Sequence, residues 1–244
     1  MKRTLLTAWL IAAALILSFS SSYAFSEKDE RKLGEETAAK LAGQYGIIPE
    51  HPALKKIRAI GYSLAAVSDR PHLHYEFYVL NTDAVNAVSC PGGIIYVTKG
   101  ILPLLTDEEL AFVLAHEIAH AARGHGIKQS KKNTLTKLGV SGLILALGKG
   151  KTSRASQTAA SAVSTIASKS YSRKDEDEAD RTACHYMFNG PHMNPRAGIS
   201  FMLKLKSLQK TNSATDFLNG IIGDHPLTDD RIKAIDQECS QMGF

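Results

Sequence analysis

The chain has 244 residues, 44% hydrophobic and 22% charged, the balance of one globular domain with a real core rather than of a disordered or fibrous chain. Taking Lys2 and Arg3 of the first segment from the 29 basic side chains leaves 27 against 24 acidic ones, a net charge of +3. That surplus is too small and too dispersed to support binding to nucleic acid, and no such partner is expected.

The first segment reads apart from the rest. Lys2 and Arg3 precede the apolar run LLTAWLIAAALILSF, and Ser22 and Ala24 stand at the small positions a signal peptidase needs. Residues 1–24 are expected to be a signal peptide cut after Ala24, with an exported, periplasmic mature chain over residues 25–244. The run is short for a spanning helix, so no transmembrane span is expected in the mature chain. The three cysteines, Cys90, Cys184 and Cys239, have no zinc-ribbon or redox spacing and read as core residues. A bridge between Cys184 and Cys239 is left open.

Next, SEKDERKLGEETAAKLAGQYG gives an amphipathic helix capped by Ser26, and HPALKKIRAIGYSLAAV a second. After Pro71 the period changes. LHYEFYVL, AVNAVSC and, past the turn at Pro91-Gly92-Gly93, GIIYVTKG predict three strands within residues 73–98. Thr106 then opens a helix with Glu109 three residues on, the reciprocal cap that satisfies free amides at a helix start. That helix carries HEIAH.

Residues four apart on a helix share a face, so His116 and His120 can direct both imidazoles at one point, with Glu117 turned about a quarter of a revolution away. In the zinc-peptidase use of this spacing the glutamate serves as general base. A catalytic zinc needs a third protein ligand and one open position. His125, nine residues past His116, falls on the far side of a continuing helix and reads as a surface or capping histidine. The third ligand is sought in SRKDEDEADRTACHYM, where Glu176 and Asp180 stand four apart: Glu176 for the metal, and Asp180 to accept the outer N–H of a ligand histidine. Asp177 and Glu178 are expected to face solvent.

Four blocks in this order, NAVSCPGGIIYVTKGIL, HEIAH followed by ARGHG, SRKDEDEAD and DHPLTDDR, resemble the M48 zinc metallopeptidases over roughly Val85 to Arg231. The resemblance implies one zinc per chain on His116, His120 and Glu176, Glu117 as general base, and supporting roles for Asp180 and Arg231. It implies an α+β, mainly helical, zincin-like domain with a small antiparallel or mixed sheet beside the H-E-x-x-H helix. For His225 two roles stand open: a donor to the oxyanion of the attacked carbonyl, or a fourth ligand that keeps the enzyme latent. The first block is expected to offer a sheet edge through Gly93, Ile94, Ile95 and Tyr96, to which an extended peptide adds by main-chain hydrogen bonds, with Asn86 holding its end.

Residues 126–170 include LGVSGLILALG, too short to span a bilayer, and are expected to form a flap or plug over the site. Three helices should follow: one completed by RTACHYMFNG, one over NPRAGISFMLKLKSLQK, and a last one capped by Thr228. No tandem repeat is visible, so a bare peptidase domain is expected. The reading that follows is a zinc endopeptidase acting on unfolded or misassembled cell-envelope proteins, with outer-membrane assembly components as candidate associates. The alternatives are a latent, chaperone-like protein that binds clients through the same site, or a helical protein with a structural metal or none.

Overall fold

The computed structural model describes residues 26–131, 171–210, 221 and 223–244. The expected signal peptide and most of the expected flap lie outside these residues. The fold is α+β and mainly helical: α1 (Glu27–Tyr45), α2 (Leu54–Ala66), β1 (Glu76–Leu80), β2 (Ala87–Cys90), β3 (Ile94–Thr98), a 3-10 turn (Leu102–Leu104), α3 (Asp107–Ala122), α4 (Arg173–Asn189), α5 (Ala197–Lys210) and α6 (Asp229–Gln241).

The helix starts follow local chemistry. Ser26, Thr106 and Ser172 each accept from the amide three residues on, and Asp29, Glu109 and Asp175 return the bond to the cap amide. Thr228 caps α6 by accepting from the Arg231 amide. Glu109 does more than cap: buried, it also accepts from Lys204 Nζ at 2.6 Å and from the Ser200 hydroxyl, which ties α5 to the start of α3.

The three strands form one mixed sheet in the order β1-β3-β2, with β1 parallel to β3 and β2 antiparallel to it. All five residues of β3 are buried because both faces of the sheet are covered. Ile94 and Tyr96 pack with Ala38 and Leu41 of α1, whereas Ile95 and Val97 enter the main core with α2 and α3. This corrects the expected substrate edge. Gly93 precedes, and Ile94, Ile95 and Tyr96 lie on, a central strand whose main chain is paired on both sides; the strand that packs beside α3 at the sheet margin is β2.

Helix α3 is buried along nearly its whole length, with α2, α4, α5 and β2 around it. Cys184 and Cys239, on α4 and α6, are buried free thiols in side-chain contact, and Cys90 is a free thiol in the smaller core. Helix α1 is seated by ions and by a close approach. Arg70 donates to both oxygens of buried Glu30 at 3.1 and 3.0 Å, and Glu30 also accepts from the Gly92 amide. At Gly34 the helix lies directly on the turn before β3, where a Cβ would sit 1.8 Å from the Pro91 carbonyl oxygen. Backbone blocks that Cβ, so Gly34→Ala should destabilise the fold by about 1–3 kcal/mol, read as a lower urea midpoint with an unchanged slope.

Candidate metal centre

Three stretches of chain supply the site. Helix α3 brings His116, Glu117 and His120, helix α4 brings Glu176 and Asp180, and the segment leading into α6 brings His225. All six side chains are buried, from 0% exposure for His120 and Asp180 to 6% for His116 and His225.

One donor atom from each of His116, His120, Glu176 and His225 lies within 4.8 Å of the other three. The Nε2 atoms of His120 and His116 are 2.9 Å apart; His225 Nδ1 stands 3.2 Å from His116 Nε2 and 3.1 Å from Glu176 Oε1. Glu176 Oε2 and Oε1 are 3.5 Å from His116 Nε2 and His120 Nε2. Neutral imidazole nitrogens facing one another and a carboxylate present lone pairs to lone pairs, and such a set is stable only around a cation or shared protons. Two or three histidines with one glutamate make a borderline, nitrogen-rich set of the kind zinc takes. The residues present therefore fit a zinc ion.

The charges of the set act strongly on its own members. Burial alone would pull His116 towards neutrality, but Asp180 and Glu176 outweigh it and raise its pKa to about 9. Burial and then the charge of His116 drive His120 well below its ordinary value. Burial would raise Glu176, yet His225 and His116 hold it far below the usual carboxylate range.

Around these residues lies an ionic frame. His116 Nδ1 is 2.9 Å from Asp180 Oδ1. Arg231 clasps Asp180 with two donors, Nε to Oδ2 at 2.7 Å and Nη2 to Oδ1 at 2.8 Å, and its Nη1 reaches Glu176 Oε2 at 2.8 Å and the Pro226 carbonyl at 3.1 Å. One buried guanidinium thus links α6, the His225-Pro226 segment and two of the acidic residues of α4, Glu176 and Asp180. Burial tends to raise Asp180, but Arg231 prevails and lowers it.

Glu117 stands on the open side of the cluster. Its Oε1 is 3.4 Å from His225 Nε2, and its Oε2 is buried with no hydrogen-bond partner among the described residues. An apolar pocket lined by Phe112, Val113, Phe201, Met202, Leu205 and Leu227 opens beside His116 and Glu117.

Some residues differ from expectation. Asn86 is engaged within the chain: its Nδ2 donates to Asp224 Oδ2 at 2.9 Å and its Oδ1 accepts from the Ala87 amide. His125 is not a surface residue. Helix α3 ends at Ala122, Gly124 takes a left-handed φ of 65°, and residues 125–131 resume helix in a new direction. His125 is thereby turned inward to 1% exposure with Nδ1 2.9 Å from His120 Nδ1. Glu178 is half-buried beside it and near Arg123 rather than pointed at solvent. The glycine two residues past the helix end was the signal in the sequence.

The profile described as peptidase family M48 matches residues 53–239. The chain is 24% identical over 229 residues to the beta-barrel assembly-enhancing protease of Escherichia coli (strain K12), covering 91% of this chain and 46% of that one. It is 23% identical over 227 residues to metalloprotease LoiP of the same organism, covering 91% and 85%, and 28% identical over 151 residues to its metalloprotease YcaL, covering 62% and 55%. The chain thus spans about half the length of the beta-barrel assembly-enhancing relative.

Because Asp180 partners both Arg231 and His116, Asp180→Ala should lower the unfolding free energy by about 3–5 kcal/mol in urea titrations with chelator present, as a buried guanidinium loses its main counter-ion. Asp180 titrates below its ordinary 3.8 in the folded state, so its contribution is complete above that pH and is lost as pH falls through the lower folded value. The stability gap between wild type and Asp180→Asn should therefore narrow as the solution is taken below pH 3.8.

Proposed function

The chain belongs to peptidase family M48, and on that footing we propose that it is a zinc-dependent endopeptidase that cleaves unfolded or misassembled cell-envelope polypeptides. The observation that carries the reading is the convergence of His116, His120, Glu176 and His225 within 4.8 Å, buried and framed by Asp180 and Arg231. Bound zinc would supply Lewis acidity, polarising a scissile carbonyl and acidifying a water to a pKa of about 7.

In this reading His116, His120 and Glu176 hold the ion. Glu117 takes a proton from the attacking water and delivers it to the leaving amine, a role supported by its buried Oε2, which has no hydrogen-bond partner among the described residues. Asp180 and Arg231 fix the His116 ring and the Glu176 carboxylate. The margin strand β2 is the natural place for an extended substrate to add by main-chain bonds, since β3 is filled on both sides. The pocket between α3 and α5 suits an apolar side chain of that substrate.

For His225 the geometry favours the latch over the oxyanion donor. Its Nδ1 is one of the four converging atoms, and four protein donors make the closed set typical of structural sites, whereas a catalytic site keeps one position open. Turnover then requires His225 to swing away and make room at Glu117. The same closed set suits a client-binding protein that is largely latent, so activity rather than binding must decide.

An exported, periplasmic setting is part of the proposal. It is supported by the N-terminal sequence and by relatives named for beta-barrel assembly, which also make outer-membrane assembly components the associates to test first. Among the described residues no helix is long and apolar enough to cross a membrane.

Zinc content and cleavage of an unfolded protein such as casein should be measured together. Wild type should hold about one equivalent. Glu117→Gln should keep the zinc and lose cleavage by at least about a hundredfold, whereas Glu176→Ala should lose both. His225→Ala should retain zinc and cleave faster than wild type; slower cleavage would assign His225 to the oxyanion instead.

A further inference from the structure

The two metal-ligand histidines of α3 are steadied in different ways. His116 meets a carboxylate directly, with Nδ1 2.9 Å from Asp180. Among the described residues His120 has no carboxylate at its Nδ1; there it meets the Nδ1 of His125 at 2.9 Å, the two rings standing at 75°. Tyr171 stacks on the His120 ring at 3.9 Å and 18°, which limits tilt but leaves the choice of ring proton open.

That choice is set by the neighbours. His120 Nε2 points into the cluster, 2.9 Å from His116 Nε2 and 3.5 Å from Glu176 Oε1, so it must offer a lone pair if the cluster holds an ion. Its proton then sits on Nδ1 and needs an acceptor, because a buried N–H without one costs about 1–3 kcal/mol. His125 Nδ1 can accept only as a bare lone pair, which puts the His125 proton on Nε2. That Nε2 is buried and makes no hydrogen bond among the described residues; the carboxylate oxygens beside it are Glu178 Oε2 at 3.6 Å and Asp175 Oδ1 at 3.8 Å. Every proton in the chain is determined once the ion is in place.

We propose that His125 is a positioning residue for the metal centre: its Nδ1 accepts the Nδ1–H of His120, fixing that ligand's tautomer and rotation, while its own Nε2–H turns to the carboxylates of Glu178 and Asp175. The arrangement is a carboxylate–histidine–metal support lengthened by one imidazole. It depends on the turn at Gly124, which carries His125 back against α3, and it rests on the zinc-peptidase reading.

The test uses the full chain and zinc itself. Zinc dissociation constants from competition with a chromophoric chelator are compared for wild type, His125→Asn, His125→Leu and Glu176→Ala. Asn places a carbonyl oxygen near the position of the lost Nδ1, so His125→Asn should stay within about threefold of wild type, while His125→Leu should bind about 10–100-fold more weakly. Equal losses in both variants, or none in His125→Leu, would overturn the proposal. If wild type takes up no zinc, the metal reading falls and His125 with it; if Glu176→Ala weakens binding and His125→Leu does not, only the role of His125 falls. Should His125→Leu fail to fold, nitrogen-15 spectra of zinc-loaded wild type decide the matter. They should show His125 protonated at Nε2 and bare at Nδ1, and the opposite tautomer would refute the assignment.

Discussion

Two ring nitrogens 2.9 Å apart in a buried site, with a third ring nitrogen 3.2 Å and a carboxylate oxygen 3.5 Å away, repel unless positive charge lies among them. That constraint organises the interior. Helix α3 must be buried to keep water off His116 and His120, and α4 must lie against it to bring Glu176 into reach. Helix α6 must be close enough for Arg231 to compensate the acids of α4. The small sheet and α2 serve chiefly as the wall against which α3 is held, and the Glu109–Lys204 pair holds α5 against the start of α3.

What the sequence revealed depended on how local the signal was. The spacing of His116 and His120 is a statement about one helix, and so is that of Glu176 and Asp180, so each pair could be placed on a face without knowledge of the rest. The caps at Ser26, Thr106 and Thr228 were legible for the same reason. That the two helices face each other is a tertiary fact, to which the need for a third ligand and the four-block resemblance pointed.

The misreadings have physical causes too. An edge with one wet face calls for period-two alternation, whereas the unbroken run Ile94-Ile95-Tyr96-Val97 of β3 is what a strand covered on both faces looks like. Helical geometry extended through Gly124 places His125 on the far side of α3, but glycine is the residue type that lets a chain leave a helix in the left-handed region. The bond from Asn86 to Asp224 spans 138 positions, and no local pattern announces it.

Arg231 reaches Asp180 and Glu176 together, and this has a bearing on electroneutrality. With the imidazoles uncharged, the centre holds three carboxylates, from Glu117, Glu176 and Asp180, against one guanidinium, leaving two negative charges sealed from solvent. A dication cancels that deficit completely. Arg231 sets the size of that deficit, since without its charge Glu176 and Asp180 would both stand uncompensated.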